Sequence, residues 1–180
     1  MFDETLKLIV ALGDRPPSAR LPRRLGTLFT QLAATSDPLE ASETEDLIWG
    51  LWMQHTRVDA EDKLDQATRA IAAKDWDGAE ALLDELVAEQ PEYAEAWNKR
   101  ATLYFLQKRD AESIADIRRT LELEPRHFGA ICGFAQICLR HDERVAAMFA
   151  FDAALRINPH LASVRTAMAQ LAAEGGKTIH

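Results

Sequence analysis

Three prolines, Pro91, Pro125 and Pro159, stand 34 residues apart, and each follows a segment whose apolar residues recur with a helical period. Proline cannot donate the hydrogen bond that continues a helix, and it pushes the residue before it away from the α region. Each one therefore ends a helix and opens the next unit. The preceding segments, 79–90, 113–124 and 147–158, fix the frame, which predicts three helical hairpins over residues 60–93, 94–127 and 128–161. A pair of helices this short cannot bury its apolar face alone, so neighbouring hairpins must stack. The expected fold class is all-α, a short α-solenoid of helix-turn-helix repeats.

The second unit carries Trp97, Ala101 and Tyr104, then Ser113, Ile117 and Pro125. The third places Ile131, Phe134, Ala135, Cys138, Ala147, Phe151, Ala154 and Pro159 in the equivalent positions. Small residues such as Ala79, Ala101, Ala135 and Ala147 let two helices approach closely, while the aromatics fill the space beside them. Over residues 60–161 this pattern resembles the tetratricopeptide repeat. The first unit departs from it, with Lys63 and Gln66 at positions that are usually large and apolar, which leaves Leu64, Ala67, Ala70 and Ile71 to pack. Trp76 fills the aromatic slot at the first corner, whereas Asp110 and Arg144 replace it later, so those two corners are expected to be looser.

Residues 1–22 read as an N-terminal segment and linker, with Pro16, Pro17 and Pro22 in its second half. Residues 23–58 read as an N-terminal helical hairpin that caps the first repeat. Leu25, Leu28, Phe29 and Leu32 line its first helix, and Leu47, Ile48, Leu51 and Trp52 its second. Between them Asp37 supplies an N-cap and Pro38 a first-turn proline. Residues 162–180 read as a capping helix, with Val164, Ala167, Met168 and Leu171 on one face, followed by a flexible tail after Gly175 and Gly176. The run Ile48-Trp49-Gly50-Leu51-Trp52, together with the segments Tyr93–Ala101 and Glu124–Ala130, resembles a group of small, uncharacterised bacterial tetratricopeptide proteins. Members of that group often carry an export signal.

Hydrophobic residues make up 47% of the 180, enough for a packed core and too many for a disordered chain. The net charge of −8 sits in residues 59–93, where eleven acidic residues face three basic ones, and the rest of the chain is balanced. Such a segment disfavours phosphate backbones, so no nucleic-acid partner is expected. No run approaches the roughly 20 apolar residues of a membrane span. The opening residues lack a basic start and a cleavage site, so the expected compartment is the cytoplasm as written, or the periplasm if translation starts upstream. Cys132 and Cys138 lie six positions apart on one helix, about 9 Å of rise, too far for a disulfide.

The chemistry-bearing residues do not form a catalytic pattern. The sequence holds no Gly-x-Ser-x-Gly, no glycine-rich phosphate loop and no His-Glu-x-x-His. Cys138 and His141 are three apart on a helix, and His141, Asp142 and Glu143, with His127 or His160, are ligand-type residues. Adjacent turn positions point in different directions, however, and His127 and His160 beside their prolines read as hydrogen-bonding turn residues. No catalytic residue, cofactor or metal is expected, and the chain reads as a non-enzyme.

What the resemblance implies is a binding surface. In tetratricopeptide proteins the first helix of each hairpin lines a concave groove, and the matching positions here include Leu64, Thr68, Asn98, Thr102, Phe105, Cys132, Gln136 and Leu139. Asn98 offers a donor and an acceptor suited to an extended backbone. Leu64, Asn98 and Cys132 hold the positions by which some family members clamp a terminal carboxylate, so recognition of a free C-terminus is not expected. The expected function is a protein–protein interaction module that takes a peptide or helix in this groove. The competing reading is a structural, self-associating scaffold with Trp49 and Trp52 in its contact. The partner and the oligomeric state are not specified by the sequence.

Overall fold

The computed structural model describes residues 2–175, and the expected tail beyond Gly175 lies outside them. Within these residues the chain forms ten α-helices and one short 3-10 turn, with no strand. Three antiparallel pairs form the solenoid. They are α4 (Val58–Ala72) with α5 (Trp76–Glu89), α6 (Ala94–Leu106) with α7 (Asp110–Leu123), and α8 (Phe128–Arg140) with α9 (Arg144–Ile157). Leu64, Ala67, Ala79, Ala101, Ala135 and Ala147 are all buried in the helix contacts. Where the second pair has Ser113 in place of alanine, its hydroxyl donates to the Ala101 carbonyl at 2.8 Å. The close approach is kept and the polar atom is satisfied.

The corners are not looser in the later repeats. Lys74, Lys108 and Asp142, again 34 apart, all adopt left-handed backbone, with φ of 60°, 62° and 59°. Each donates to the carbonyl three residues back, and its successor donates to the carbonyl five back. The pairs run from Lys74 and Asp75 to Ile71 and Ala70, from Lys108 and Arg109 to Phe105 and Tyr104, and from Asp142 and Glu143 to Leu139 and Cys138, all at 2.8–3.1 Å. This Schellman arrangement satisfies the last carbonyls of each first helix through the backbone alone. No aromatic is needed, and Asp110 instead accepts from Arg140 and His141.

The N-terminal segment forms α1 (Phe2–Val10), which packs against both α7 and α9, burying Thr5 and Ile9. The Phe2 ring lies 6.1 Å from Phe134, Glu4 pairs with Arg118 at 2.6 Å, and the Ser18 N–H donates to the Leu123 carbonyl at 2.7 Å. The hairpin of α2 (Arg24–Ala34) and α3 (Pro38–Met53) does form, with the Asp37 side chain accepting from the Leu39 N–H at 2.9 Å. It does not stack ahead of the first repeat as a cap. Leu25, Leu28, Phe29, Leu32, Ile48 and Trp52 join the core of the second and third repeats, while the first repeat has a separate core around Leu64, Leu83 and Leu86. Leu47, expected on the inner stripe, is exposed.

At the other end α10 (Ala162–Gly175) packs on α9 through buried Val164, with Ala167, Met168 and Leu171 half-buried against the same core.

Candidate protein-binding groove

The α2–α3 hairpin contacts the turns that follow α5, α7 and α9. At the first, the Tyr93 hydroxyl donates to the Met53 carbonyl, and Tyr93 lies 4.7 Å from the His55 ring. At the second, Trp52 stacks on His127 with centroids 4.0 Å apart and planes 10° from parallel, and its indole N–H points at the Glu124 carboxylate at 3.4 Å. Arg126 lies over the Phe29 ring at 4.6 Å while pairing with Glu124 at 2.8 Å. At the third, Asn158 donates to Glu45 at 2.8 Å, and the His160 ring reaches the Leu32 carbonyl at 3.0 Å.

The buried polar groups at the second turn are mutually satisfied. His127 is fully buried, and its Nδ1 accepts from the Ala130 N–H, capping α8 at 3.1 Å. That leaves Nε2–H to donate to the Glu95 carboxylate at 2.8 Å. Glu95 is itself buried, and it also accepts from the Asn98 amide at 3.1 Å and faces Lys99 at 3.4 Å. Burial pushes its carboxyl up, but the His127 hydrogen bond, Lys99 and the Asn98 amide outweigh it and hold the group below the ordinary carboxylate range.

The expected groove residues therefore divide. Leu64 is fully buried in the first repeat's core, where its aliphatic side chain is worth more than on a surface, so it is removed from the groove. Asn98 is also largely buried, and its amide donates to Glu95, which ties it to the turn network, while it still lines the crevice between α6 and α8. The hydroxyls of Thr68 and Thr102 donate to the carbonyls four residues back, Leu64 and Asn98. Cys132 is half-buried, and burial together with the Glu45 charge raises its thiol to about 12. Cys138 is buried and raised to about 12 as well. Among the described residues no cluster of His, Cys, Asp and Glu is arranged to hold a metal ion.

What stays open is the outer half of the concave face. Thr102 and Gln136 are exposed, and Phe105 and Leu139 are half-exposed. The Arg140 guanidinium covers the Phe105 ring at 4.0 Å. A crevice of about 170 Å³ runs between α6 and α8, lined by Ala101, Thr102, Phe105, Ile117 and Gly133, with no charged side chain among the described residues that line it.

The inner half is taken by α3. A Cβ built on Gly129 would lie 2.6 Å from the Trp49 ring, so α3 sits this close only because position 129 has no side chain. The equivalent positions of the other repeats hold Glu61 and Glu95, and that departure within the frame is the signal from which the close contact could have been read. Trp52, placed above in a self-association contact, is only 2% exposed and cannot supply one.

The fold and this partly covered groove define a helical-hairpin repeat protein. The chain is 35% identical, over 162 residues, to a TPR repeat-containing protein of Rhizobium etli, with 90% of this chain and 78% of that protein covered. It belongs to the tetratricopeptide-repeat (TPR) proteins. Among solved structures it matches the TPR2B domain of yeast Sti1, determined as a complex with pHsp70, at a TM-score of 0.59 and 20% identity, over 66% of this chain and 99% of that one. No family model matches the chain. Among the described residues no helix is long and apolar enough to cross a membrane.

Proposed function

We propose that this chain is a non-catalytic interaction module that takes a peptide or helix of a partner protein on the open half of its concave face. The observation that carries the reading is the crevice between α6 and α8, lined by exposed Thr102 and half-exposed Phe105, with exposed Gln136 and half-exposed Leu139 further along α8. Apolar hollows beside a few polar side chains suit a bound segment that buries one or two anchor residues. The yeast TPR domain, whose complex with pHsp70 shows a partner bound to this fold, lends support by likeness. In this reading the contact surface is Thr102, Phe105, Gln136 and Leu139, with Asn98 also lining the crevice.

A photo-crosslinking side chain placed at Gln136, in the native cell, is expected to capture discrete partner adducts. The same group at Val145, exposed on α9, is expected to capture none of them. Identical adducts from both positions, or none from Gln136, would reject the groove.

A further inference from the structure

A second hollow, of about 240 Å³, opens where α3, α8 and α10 meet, and helices distant in sequence close it from three sides. Trp49, Phe128 and Phe151 give it aromatic walls, and Val164 and Ala167 of α10 form the far side. It is smaller than the roughly 300–1,000 Å³ of a small-molecule site and matches a single large side chain.

Its charge is one-sided. Among the described residues Glu45 is the only charged one lining it, and one Glu45 oxygen is held by the Asn158 amide at 2.8 Å. The helix that supplies Glu45 carries Glu40, Glu43, Glu45 and Asp46 with no lysine or arginine, and Glu43 and Asp46 are exposed. An apolar group seated beside Glu45 would strip water from a carboxylate, at a cost that a neighbouring cation offsets. The hollow and the crevice between α6 and α8 lie on either side of Gly129, which lines both.

We propose that this hollow seats a large apolar anchor of a cationic amphipathic protein segment, whose lysines or arginines face the acidic edge of α3. The inference rests on the groove reading above and names its partner chemistry.

The probe is a fluorescein-labelled helical model peptide with one phenylalanine on its apolar face and lysines on its polar face, titrated into the full chain by anisotropy. Replacing its lysines with glutamates, or its phenylalanine with alanine, is expected to weaken binding about tenfold or more. Filling the hollow with Ala167→Trp, or with Ser163→Trp at an exposed position, is expected to do the same in chains whose circular dichroism and melting match the parent. Reversing the edge with Glu43→Lys and Asp46→Lys should weaken binding and flatten its salt dependence.

No binding of the lysine peptide, or binding insensitive to both tryptophan variants, overturns the inference. So does a concentration-dependent dimer of the unliganded chain that Ala167→Trp abolishes, which assigns the hollow to a second copy. Loss of binding on Thr102→Trp but not on Ala167→Trp overturns the inference and leaves the groove reading standing. Insensitivity to all three tryptophan variants counts against both.

Discussion

Replacing Trp52 with alanine tests whether the N-terminal hairpin and the repeats are one cooperative unit. The Trp52 side chain is 2% exposed. It stacks on His127 at 4.0 Å and touches Trp49, Phe128 and Phe29 with centroids at 5.0, 5.1 and 6.0 Å. Truncating a buried tryptophan costs about 3–5 kcal/mol, from lost transfer energy and the cavity left behind. For a chain of this length each kcal/mol lowers Tm by about 2–4 °C, so Trp52→Ala should melt about 6–20 °C below the parent. Trp52→Phe keeps an aromatic but loses the volume of the fused ring and the N–H aimed at Glu124, which Arg126 also holds, so its cost should be about 1–3 kcal/mol. Urea unfolding followed by circular dichroism, with hydrogen exchange of the α2 and α3 amides, measures both. A Trp52→Ala cost below about 1 kcal/mol, or a separate early transition confined to α2 and α3, would refute the packing argued here.

Lys108→Gly should stabilise the chain by about 1 kcal/mol, because glycine adopts the left-handed turn without the steric cost that lysine bears; a urea midpoint unchanged or lowered would contradict it. The depressed Glu95 carboxyl contributes stability that is fully present above its ordinary value of 4.5 and is lost as pH falls through its lower value in the fold. Glu95→Gln should therefore be less stable at neutral pH, and below pH 4.5 its stability should fall with acid by up to about 1.4 kcal/mol per pH unit less than the parent's, as read from Tm across a pH series. With both thiols raised to about 12, neither cysteine should react with a thiol reagent at pH 8 until denaturant is added; rapid modification of the native chain would place one of them in a different environment.

The solenoid was legible because its determinants are local and repeated. Proline spacing, small residues at fixed offsets and the apolar period need only neighbouring positions to be read. The N-terminal packing was not legible, because nothing in the apolar stripe of α3 says which surface it covers. Ile48 and Trp52 could cap a first repeat or lie across the turns with equal burial, and the choice rests on distant complements such as Gly129 for Trp49 and Asn158 for Glu45. Asn98 shows the same limit. Its position in the repeat is that of a groove residue, but Glu95 one turn earlier and His127 in the next turn draw its amide into a buried network. The left-handed turns were missed for another reason: lysine and aspartate carry no strong signal for that conformation, and their 34-residue recurrence shows only in the backbone.

A stack of hairpins is ordinarily a spring, since each unit touches only its neighbours and small rotations accumulate along the axis. Here one hairpin is fastened to three successive turns, through Met53 and Tyr93, Trp52 and His127, and Glu45 and Asn158. It acts as a splint along one edge of the coil. Bending the superhelix to suit a visitor would have to strain three attachments together, so the curvature is set at folding. Adaptation in any encounter then falls to the incoming segment.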